Sequence, residues 1–397
     1  SPSPLPVVLL NYLQIVSLAA GLPLEWPGAI QTMFDMMSTI SSAGSTLLIP
    51  DCEFTHLRSY EAFYAKQVAF TFIVPVIIFV CVLVWSCIGA TCAERCKIQR
   101  ENLKNYAILS IVLCVFLCYP MIVSFCLAML KCPRVGQQLY LMADLQEECF
   151  GERHTVYVIT LTIPQLLLYV FGLPLVAGML LTRKSSREKM KTSKTFKLRY
   201  GLLFLGYRPE RGWWEVVVAA RKVAVVAVGT FGTITHSVDL QVAIALFIVF
   251  ISIVTHLSCH PFDVNTRNGR ILHNLEFAAL SLCFITFWGG LLFYLGPSVV
   301  GHGTHVFLTI LIVGLDLVFL VFSIFLFARE FVRETREKRK TRRLSLMASS
   351  TVVKPLEMLR LASQHVKEKA DVPIEHPRPR STQIQDADKL HDNFWSS

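Results

Sequence analysis

The stretch VAFTFIVPVIIFVCVLVWSCI, residues Val68–Ile88, contains no charged side chain. A helix that crosses a hydrocarbon core of about 30 Å needs about 20 mostly apolar residues. Because lipid offers the backbone no hydrogen-bond partner, such a segment is expected to be helical. Six further stretches have a similar length and character: Ala107–Leu130, Thr155–Leu181, Trp213–Phe231, Leu240–Leu257, Leu275–Leu295 and His305–Phe327. The sequence therefore predicts an all-α, polytopic transmembrane helix bundle of about seven spans.

Basic residues lie on alternate connections between these stretches. Four segments contain 4, 10, 2 and 8 Lys or Arg, respectively: 89–106, 182–212, 258–274 and 329–343. The intervening connections contain only Lys131, Arg134 and Arg153. The positive-inside rule thus predicts an N-terminus outside and a C-terminus in the cytoplasm. This excess accounts for most of the net charge of +10. The predicted partner is therefore a bilayer with an anionic inner leaflet, and no nucleic acid is expected.

The chain starts with SPSP at residues 1–4, without an initiator Met or the basic region of a signal peptide. Ser-Pro repeats are typical of extended polyproline-II stalks. We therefore expect a much larger extracellular domain before residue 1, and an arbitrary chain boundary is the alternative. Residues 1–67 are predicted to form the end of this stalk and interfacial helices on the outer face or rim of the bundle. A further span at 5–22 is not favoured, because an external N-terminus and a cytoplasmic C-terminus require an odd number of spans.

Three of the twelve cysteines are predicted to lie outside the membrane, in an oxidising compartment. Among these disulfide candidates, Cys132 and Cys149 are the favoured pair, which leaves Cys52 to a partner elsewhere. Cys92 and Cys96 lie just inside the membrane beside basic residues. They are palmitoylation candidates, and plain reduced thiols are the alternative. Their spacing, without a nearby His, does not favour zinc, and neither a metal nor a cofactor is expected.

Ionisable residues within the spans are the strongest functional signal. A charge at membrane depth costs several kcal/mol unless it is paired or hydrated, so it usually faces the bundle interior. The intramembrane charges are Asp316, Glu276, Glu215, Arg221 and Lys222. One interpretation is an interhelical ion pair. In such a pair, Asp316 or Glu276 would bind Arg221 or Lys222. The other is an ion pathway or a gating element.

The segment before the predicted fourth span has the features of an interface anchor. Trp213 and Trp214 are predicted to lie at headgroup depth, where amphipathic rings hold a helix. Pro209 suits the first turn of a helix. Tyr207 and Arg208 are expected to lie along the inner surface before the chain turns into the membrane.

Several strings together carry a family resemblance: YGLLFLGYRPERGWWE (Tyr200–Glu215), YVFGLP (Tyr169–Pro174), HPF (His260–Phe262), NLE (Asn274–Glu276) and NYLQ (Asn11–Gln14). Over about residues 7–330 the chain resembles the C-terminal polytopic membrane region of giant algal and protist cell-surface proteins. In that group the region follows a long extracellular array and is similar to transient-receptor-potential (TRP) channels. The Ser-Pro start resembles the hydroxyproline-rich stalks of green-algal proteins, including those of ciliary hairs (mastigonemes).

The remaining domains are a bundle at 68–328 and a basic, partly disordered cytoplasmic tail at 329–397. Ser345 follows two Arg and a Leu, which fits a basophilic kinase site. No metalloprotease, serine-hydrolase or phosphate-loop motif occurs in the sequence, so no enzyme activity is expected.

Three functions remain open. The favoured one is a membrane anchor that ties a large extracellular filament or stalk to the plasma or ciliary membrane. It could pass force to a polycystin- or TRP-type channel or another membrane protein, with a mechanosensory role, and its partners would include filament components. The alternative is a TRP-like cation-channel subunit, although the connection 296–304 is short for a pore helix and filter. A seven-span receptor is the weakest, because the expected receptor motifs are missing.

Overall fold

The structure is a computed structural model that describes residues 4–22, 24–41, 59–91, 100–235 and 237–370. The helices in these ranges are α1 Leu5–Ala19, α2 Gly28–Ser41, α3 Ser59–Thr71, α4 Ile73–Thr91, α5 Arg100–Ala128, α6 Glu152–Thr182, α7 Lys184–Thr192, α8 Lys194–Phe204, α9 Trp214–Thr235, α10 Val238–Cys259, α11 Arg267–Tyr294, α12 Pro297–Val300 and α13 His302–Ala370. A 3₁₀ turn at Pro209–Arg211 precedes α9.

Six of the described helices are long and apolar enough to cross a membrane: α4, Asn102–Ala128 of α5, α6, α10, α11 and His302–Thr341 of α13. The chain is therefore an α-helical, multi-pass membrane protein. The predicted span Trp213–Phe231 corresponds to α9, which is not among the six. Three charged side chains lie in that helix, Glu215, Arg221 and Lys222, and they lower its mean hydropathy.

Two apolar cores hold the bundle together, and α9 contributes to both. The first core joins α1, α2, α10, α11 and α13, and Val225 of α9 is buried in it. The second core joins α3, α4, α5 and α6, and Ala219 and Val223 of α9 pack against it. Opposite faces of α9 thus connect the two halves of the bundle.

Helix α1 lies inside the bundle and not on its rim, contrary to the prediction for residues 1–67. Val16 and Ala19 have no exposed surface, and Tyr12 is 2% exposed. Apart from a few uncharged polar residues, α1 is apolar on every side, and a helix of that kind is buried. On α2, Phe34 is buried whereas Ile40 is exposed, so α2 covers α1 with only one face.

Helix α1 also starts at an unexpected end of the bundle. Pro4 lies so close to Gly206, between α8 and α9, that a Cβ on Gly206 would be 2.9 Å from the Cβ of Pro4. At the far end, Leu22 approaches Gly229 of α9 and Leu24 approaches Gly290 of α11. Thus α1 runs parallel to α9 and α11, and it begins on the face that contains the connection 182–212. An external N-terminus and a cytoplasmic connection 182–212, which the charge pattern predicted together, are therefore incompatible with this placement.

Helix α6 contains two π-helical segments, Val158–Thr162 and Leu166–Gly172. Each ends just before a proline, Pro164 or Pro174. Proline lacks an N–H and clashes with the preceding turn, and a wider turn relieves both problems. A Cβ on Gly172 would lie 2.8 Å from the carbonyl oxygen of Leu167, so the wide turn also needs a residue without a side chain.

A small antiparallel sheet between α5 and α6 is an addition to the all-α prediction. Its strands are β1 Arg134–Val135, β2 Gln138–Leu141 and β3 Asp144–Glu148, paired in that order. A disulfide joins Cys132 to Cys149 across the base of this sheet, which is the pairing that the sequence favoured. Strands of two to five residues are too short to produce a recognisable alternating pattern.

The chain divides into two compact units, 1–331 and 332–397. In the second unit the helical structure continues to Ala370, and Ser345 lies within this helical part. The segment 371–397, for which disorder was predicted, lies outside the described residues.

Candidate functional site

A buried lysine on α9 is held by two side chains of α1. Lys222 is 2% exposed, and its Nζ donates hydrogen bonds to Asn11 Oδ1 and Gln14 Oε1, both at 2.7 Å. Its Nζ also lies 4.9 Å from the ring centroid of Phe116 on α5. A cation in an apolar interior requires such oxygen partners. The contact therefore ties α1 to α9 at the centre of the bundle.

Glu215, near the start of α9, is bound from two sides. The Tyr207 hydroxyl donates to Glu215 Oε2 at 2.9 Å, and Asn11 Nδ2 donates to Oε1 at 3.5 Å. Burial, and then the nearby Glu215 carboxylate, raise the pKa of Tyr207 well above its usual value, so this phenol stays a donor. Asn11 thus bridges Lys222 and Glu215.

Arg221 and Glu276 form a buried ion pair between α9 and α11. Their nearest charged atoms are 3.6 Å apart, and each side chain is 6% exposed. A cavity of about 10 Å³ beside them is also lined by Asn11, Tyr12 and Cys283. This volume is about what one water molecule needs. Among the described residues, Arg221 Nε has no hydrogen-bond partner, so a water in this cavity would satisfy it.

Asp316 is bound by a residue of α1 and not by a basic residue of another span. It is 1% exposed, and the Tyr12 hydroxyl donates a hydrogen bond to its Oδ1. The Tyr12 ring packs on Phe319 one turn further along α13, with the centroids 4.5 Å apart. Of the ion pairs considered from the sequence, the described residues thus contain the one between Arg221 and Glu276.

Asn11, Tyr12 and Gln14 are the functional side chains that the sequence analysis missed. The available signal was three polar residues within four positions of an otherwise apolar helix. It was not used, because α1 was assigned to the outer face, where polar residues need no partner. Together with Lys222, Glu215 and Asp316, we refer to these residues as the central polar network.

A second set of polar contacts, also missed, lies where α3 meets α6. Gln165 Nε2 donates to Thr71 Oγ1 at 2.6 Å, and the Tyr169 hydroxyl donates to the Thr71 carbonyl oxygen at 2.6 Å. Gln67 Nε2 donates to the carbonyl oxygen of Phe125 on α5 at 3.2 Å. These bonds connect α3, α5 and α6.

The predicted interface anchor is only partly at a surface. Trp214 is 2% exposed and lies near His256 of α10, with the ring centroids 6.4 Å apart. Trp213 is half-buried. The Arg208 amide donates to the Pro261 carbonyl oxygen at 2.8 Å, and Pro209 opens the 3₁₀ turn. The structure therefore places Trp214 inside the bundle, because the first turn of α9 lies beside the end of α10.

The cysteine candidates differ in what the structure describes. Cys52, Cys92 and Cys96 lie outside the described residues. Cys132 and Cys149 lie beside His154, the one group of potential metal ligands found among the described residues. The two sulfurs are joined in the disulfide, and both ring nitrogens of His154 are used, since they contact the Phe150 amide and the Met129 carbonyl oxygen at 3.0 Å. This group therefore offers no open metal site. The side chain of Ser345 is also outside the described part.

The comparisons with known proteins give one partial likeness. Over 124 residues, 30% of the chain, the sequence is 32% identical to "Cysteine repeat modular protein A" of Toxoplasma gondii. The matched stretch is 4% of the length of that protein. No family model and no solved structure match the chain.

Proposed function

We propose that this chain is the membrane region of a much larger cell-surface protein and that it anchors an extracellular filament or stalk to the plasma or ciliary membrane. The observation that carries the proposal is the attachment of α1 through Lys222. A helix held by buried polar contacts to α9 and α13 cannot slide without leaving charges unpaired. The bundle is therefore suited to bear load and to pass force to a neighbouring membrane protein.

The partial likeness supports the same proposal. The matched stretch makes up 4% of the Toxoplasma protein, whose name describes it as a cysteine repeat modular protein. A segment similar to this one thus forms a small part of a large modular protein. An anchor for such an array is the simplest role for a helical membrane segment of this kind.

The proposal includes an orientation in the bilayer. The basic connections 182–212 and 258–274 lie in the cytoplasm by the positive-inside rule. Because Pro4 lies next to Gly206, α1 then starts on the cytoplasmic side and crosses towards the outside. With α9 also crossing, the described helices cross the bilayer eight times. An ectodomain that precedes residue 1 would thus need one more crossing before α1.

A channel subunit is the second candidate, and Asp316 favours it. Its Oδ2 has no hydrogen-bond partner among the described residues, although it is deeply buried. Two other observations speak against it. The connection between α11 and α13 contains only the four-residue helix α12, and the cavity beside the Arg221–Glu276 pair measures about 10 Å³. A pore would therefore have to form between copies.

The test is imaging of the full-length protein purified in mild detergent from its native membrane, with co-purifying chains identified by mass spectrometry. A bundle attached to an external filament, with no continuous polar path, supports the anchor. Symmetric copies around a hydrated pore lined by Asp316 would show the channel instead. The full-length transcript gives a second test, since an ectodomain joined to α1 requires about 20 apolar residues upstream of residue 1.

A further inference from the structure

An apolar cavity of about 260 Å³ lies in the second half of the bundle. Helices α4 and α6 both pack on α5, and the cavity lies between them, with α8 and α9 closing one end. Its lining includes Ile78, Phe116, Ala177, Tyr200 and Lys222. An apolar cavity of about 150 Å³ already holds a benzene molecule, so this one has room for a longer hydrocarbon segment.

The charged side chains at the wall of the cavity are already occupied. Lys222 is bound by Asn11 and Gln14, and Glu215 is bound by Tyr207 and Asn11. They therefore offer little to a polar ligand, and the rest of the lining is almost entirely apolar. The occupant that this surface suits is a hydrocarbon chain.

The cavity is open to the side of the bundle. Two lining residues, Ile78 on α4 and Val176 on α6, are 42% and 60% exposed, on helices that are long and apolar enough to cross the membrane. The mouth between them faces the region that lipid tails occupy. A chain from the surrounding bilayer can thus enter without passing through water.

The end of the cavity at α8 lies next to a concentration of exposed positive charge. Leu180 lines the cavity, and the exposed Arg183 and Lys184 follow it by three and four residues, a reach of at most about 14 Å. Lys189, Lys191 and Lys194 on the same connection are exposed as well. Basic residues at this depth attract anionic headgroups.

We propose that this cavity binds an acyl chain of an anionic phospholipid from the inner leaflet, whose phosphate contacts Arg183 and Lys184. The lipid would fill the gap between α4 and α6 and so join the two helices. This site is independent of the anchor function, since it depends on the cavity and its basic end, and its assignment to the inner leaflet rests on the orientation proposed above.

The test uses the 397-residue chain in lipid nanodiscs that contain phosphatidylserine with a photoactivatable diazirine on its acyl chain. Cross-linked peptides are identified by mass spectrometry, and we expect them in α4, α5 and α6 around the cavity. Ala177→Phe should lower the cross-linking about tenfold, because the ring fills the space that the chain needs. Met179→Phe is the matched control, since Met179 is on the same helix, is 53% exposed and does not line the cavity.

A second experiment removes basic side chains to test the contact with the lipid headgroup. The double variant Arg183→Gln/Lys184→Gln should lower the preference for phosphatidylserine over phosphatidylcholine about fivefold or more. Substitution of Lys131 and Arg134 by Gln should leave this lipid preference unchanged, because both residues follow the C-terminal end of α5, away from Arg183 and Lys184. Equal loss in both double variants would overturn the headgroup assignment.

Unchanged cross-linking in Ala177→Phe, with folding verified by size-exclusion chromatography, would overturn the proposal. Val176→Trp, at the exposed mouth, should also block entry of the acyl chain. This variant replaces Ala177→Phe in the test if Ala177→Phe does not fold. Labelling of the cavity by a diazirine sterol that phosphatidylserine fails to displace would also overturn it.

Discussion

Lys222 Nζ on α9 lies 2.7 Å from Asn11 Oδ1 on α1, although the two residues are 211 positions apart in the chain. This contact places α1 in the middle of the bundle and gives a buried cation its partner. Since Asn11 also donates to Glu215, one side chain of α1 binds both a positive and a negative residue of α9. The bundle is thus organised around the helix that comes first in the sequence.

The first prediction concerns this lysine. Lys222→Met should lower the free energy of unfolding by about 3 kcal/mol, because Glu215 loses its buried counter-charge and two amide oxygens lose their donor. Thermal unfolding in detergent measures the change. Lys191→Met removes an exposed lysine and should change stability by less than about 0.5 kcal/mol. Equal effects of the two substitutions would show that the central polar network does not stabilise the bundle.

The hydrogen bond between Tyr12 and Asp316 should appear as energetic coupling. Tyr12→Phe removes the donor while keeping the ring contact with Phe319, and Asp316→Leu removes the acceptor. In a double-mutant cycle the coupling energy should be about 1 kcal/mol, as for hydrogen bonds between helices in a membrane. Additive effects of the two substitutions would contradict the contact.

Gly206→Ala tests where α1 begins. Gly206 has a φ of +98°, which favours glycine, and a Cβ there would lie 2.9 Å from Pro4. We expect a loss of about 1–3 kcal/mol in unfolding free energy, because the substitution strains the backbone and displaces the start of α1. Gly303→Ala is the control, since nothing lies within 4 Å of a Cβ at that position. A neutral Gly206→Ala variant would indicate that Pro4 does not pack at this site.

The orientation can be tested by labelling intact cells with a membrane-impermeant maleimide. A cysteine introduced at Met142, which is 53% exposed beside the disulfide-bonded sheet, should be labelled from outside. A cysteine at Lys189 and one placed before Ser1 should react only after the cells are permeabilised, since Lys189 is part of the basic connection 182–212 and α1 starts on the same side. External labelling of the site before Ser1 would restore the external N-terminus predicted from the charge pattern.

Removal of the disulfide should affect the small sheet more than the bundle. Cys132→Ser/Cys149→Ser opens a loop with a sequence separation of 17 and should cost about 3 kcal/mol. The loss should appear as faster proteolysis within 133–148 of protein in nanodiscs. Cys87→Ser changes an exposed, unbridged cysteine and should leave the digestion pattern as it was. Unchanged proteolysis of the Cys132→Ser/Cys149→Ser variant would show that the strands alone stabilise this connection.

The central polar network was only partly predictable. Its three charged members, Lys222, Glu215 and Asp316, were found because charge is rare in apolar segments and stands out at once. The partner of Asp316 was not found, because a partner on α1 requires that α1 be inside the bundle. Trp214 was assigned to the headgroup region on its chemistry, yet its ring is buried beside His256 of α10. The partner of each buried charge depends on how the helices pack, and no local sequence pattern predicts that packing.

The local composition was sufficient to establish that this chain is an α-helical, multi-pass membrane protein with one strongly basic face. Those properties depend on the length of apolar runs and on counts of charge, which any arrangement of the helices would keep. The tertiary structure alone decided that α1 runs parallel to α9 and α11, that Tyr12 binds Asp316, and that a cavity remains between α4 and α6. These features arise from contacts between residues distant in the chain, where close packing and the pairing of buried charge select one arrangement among many.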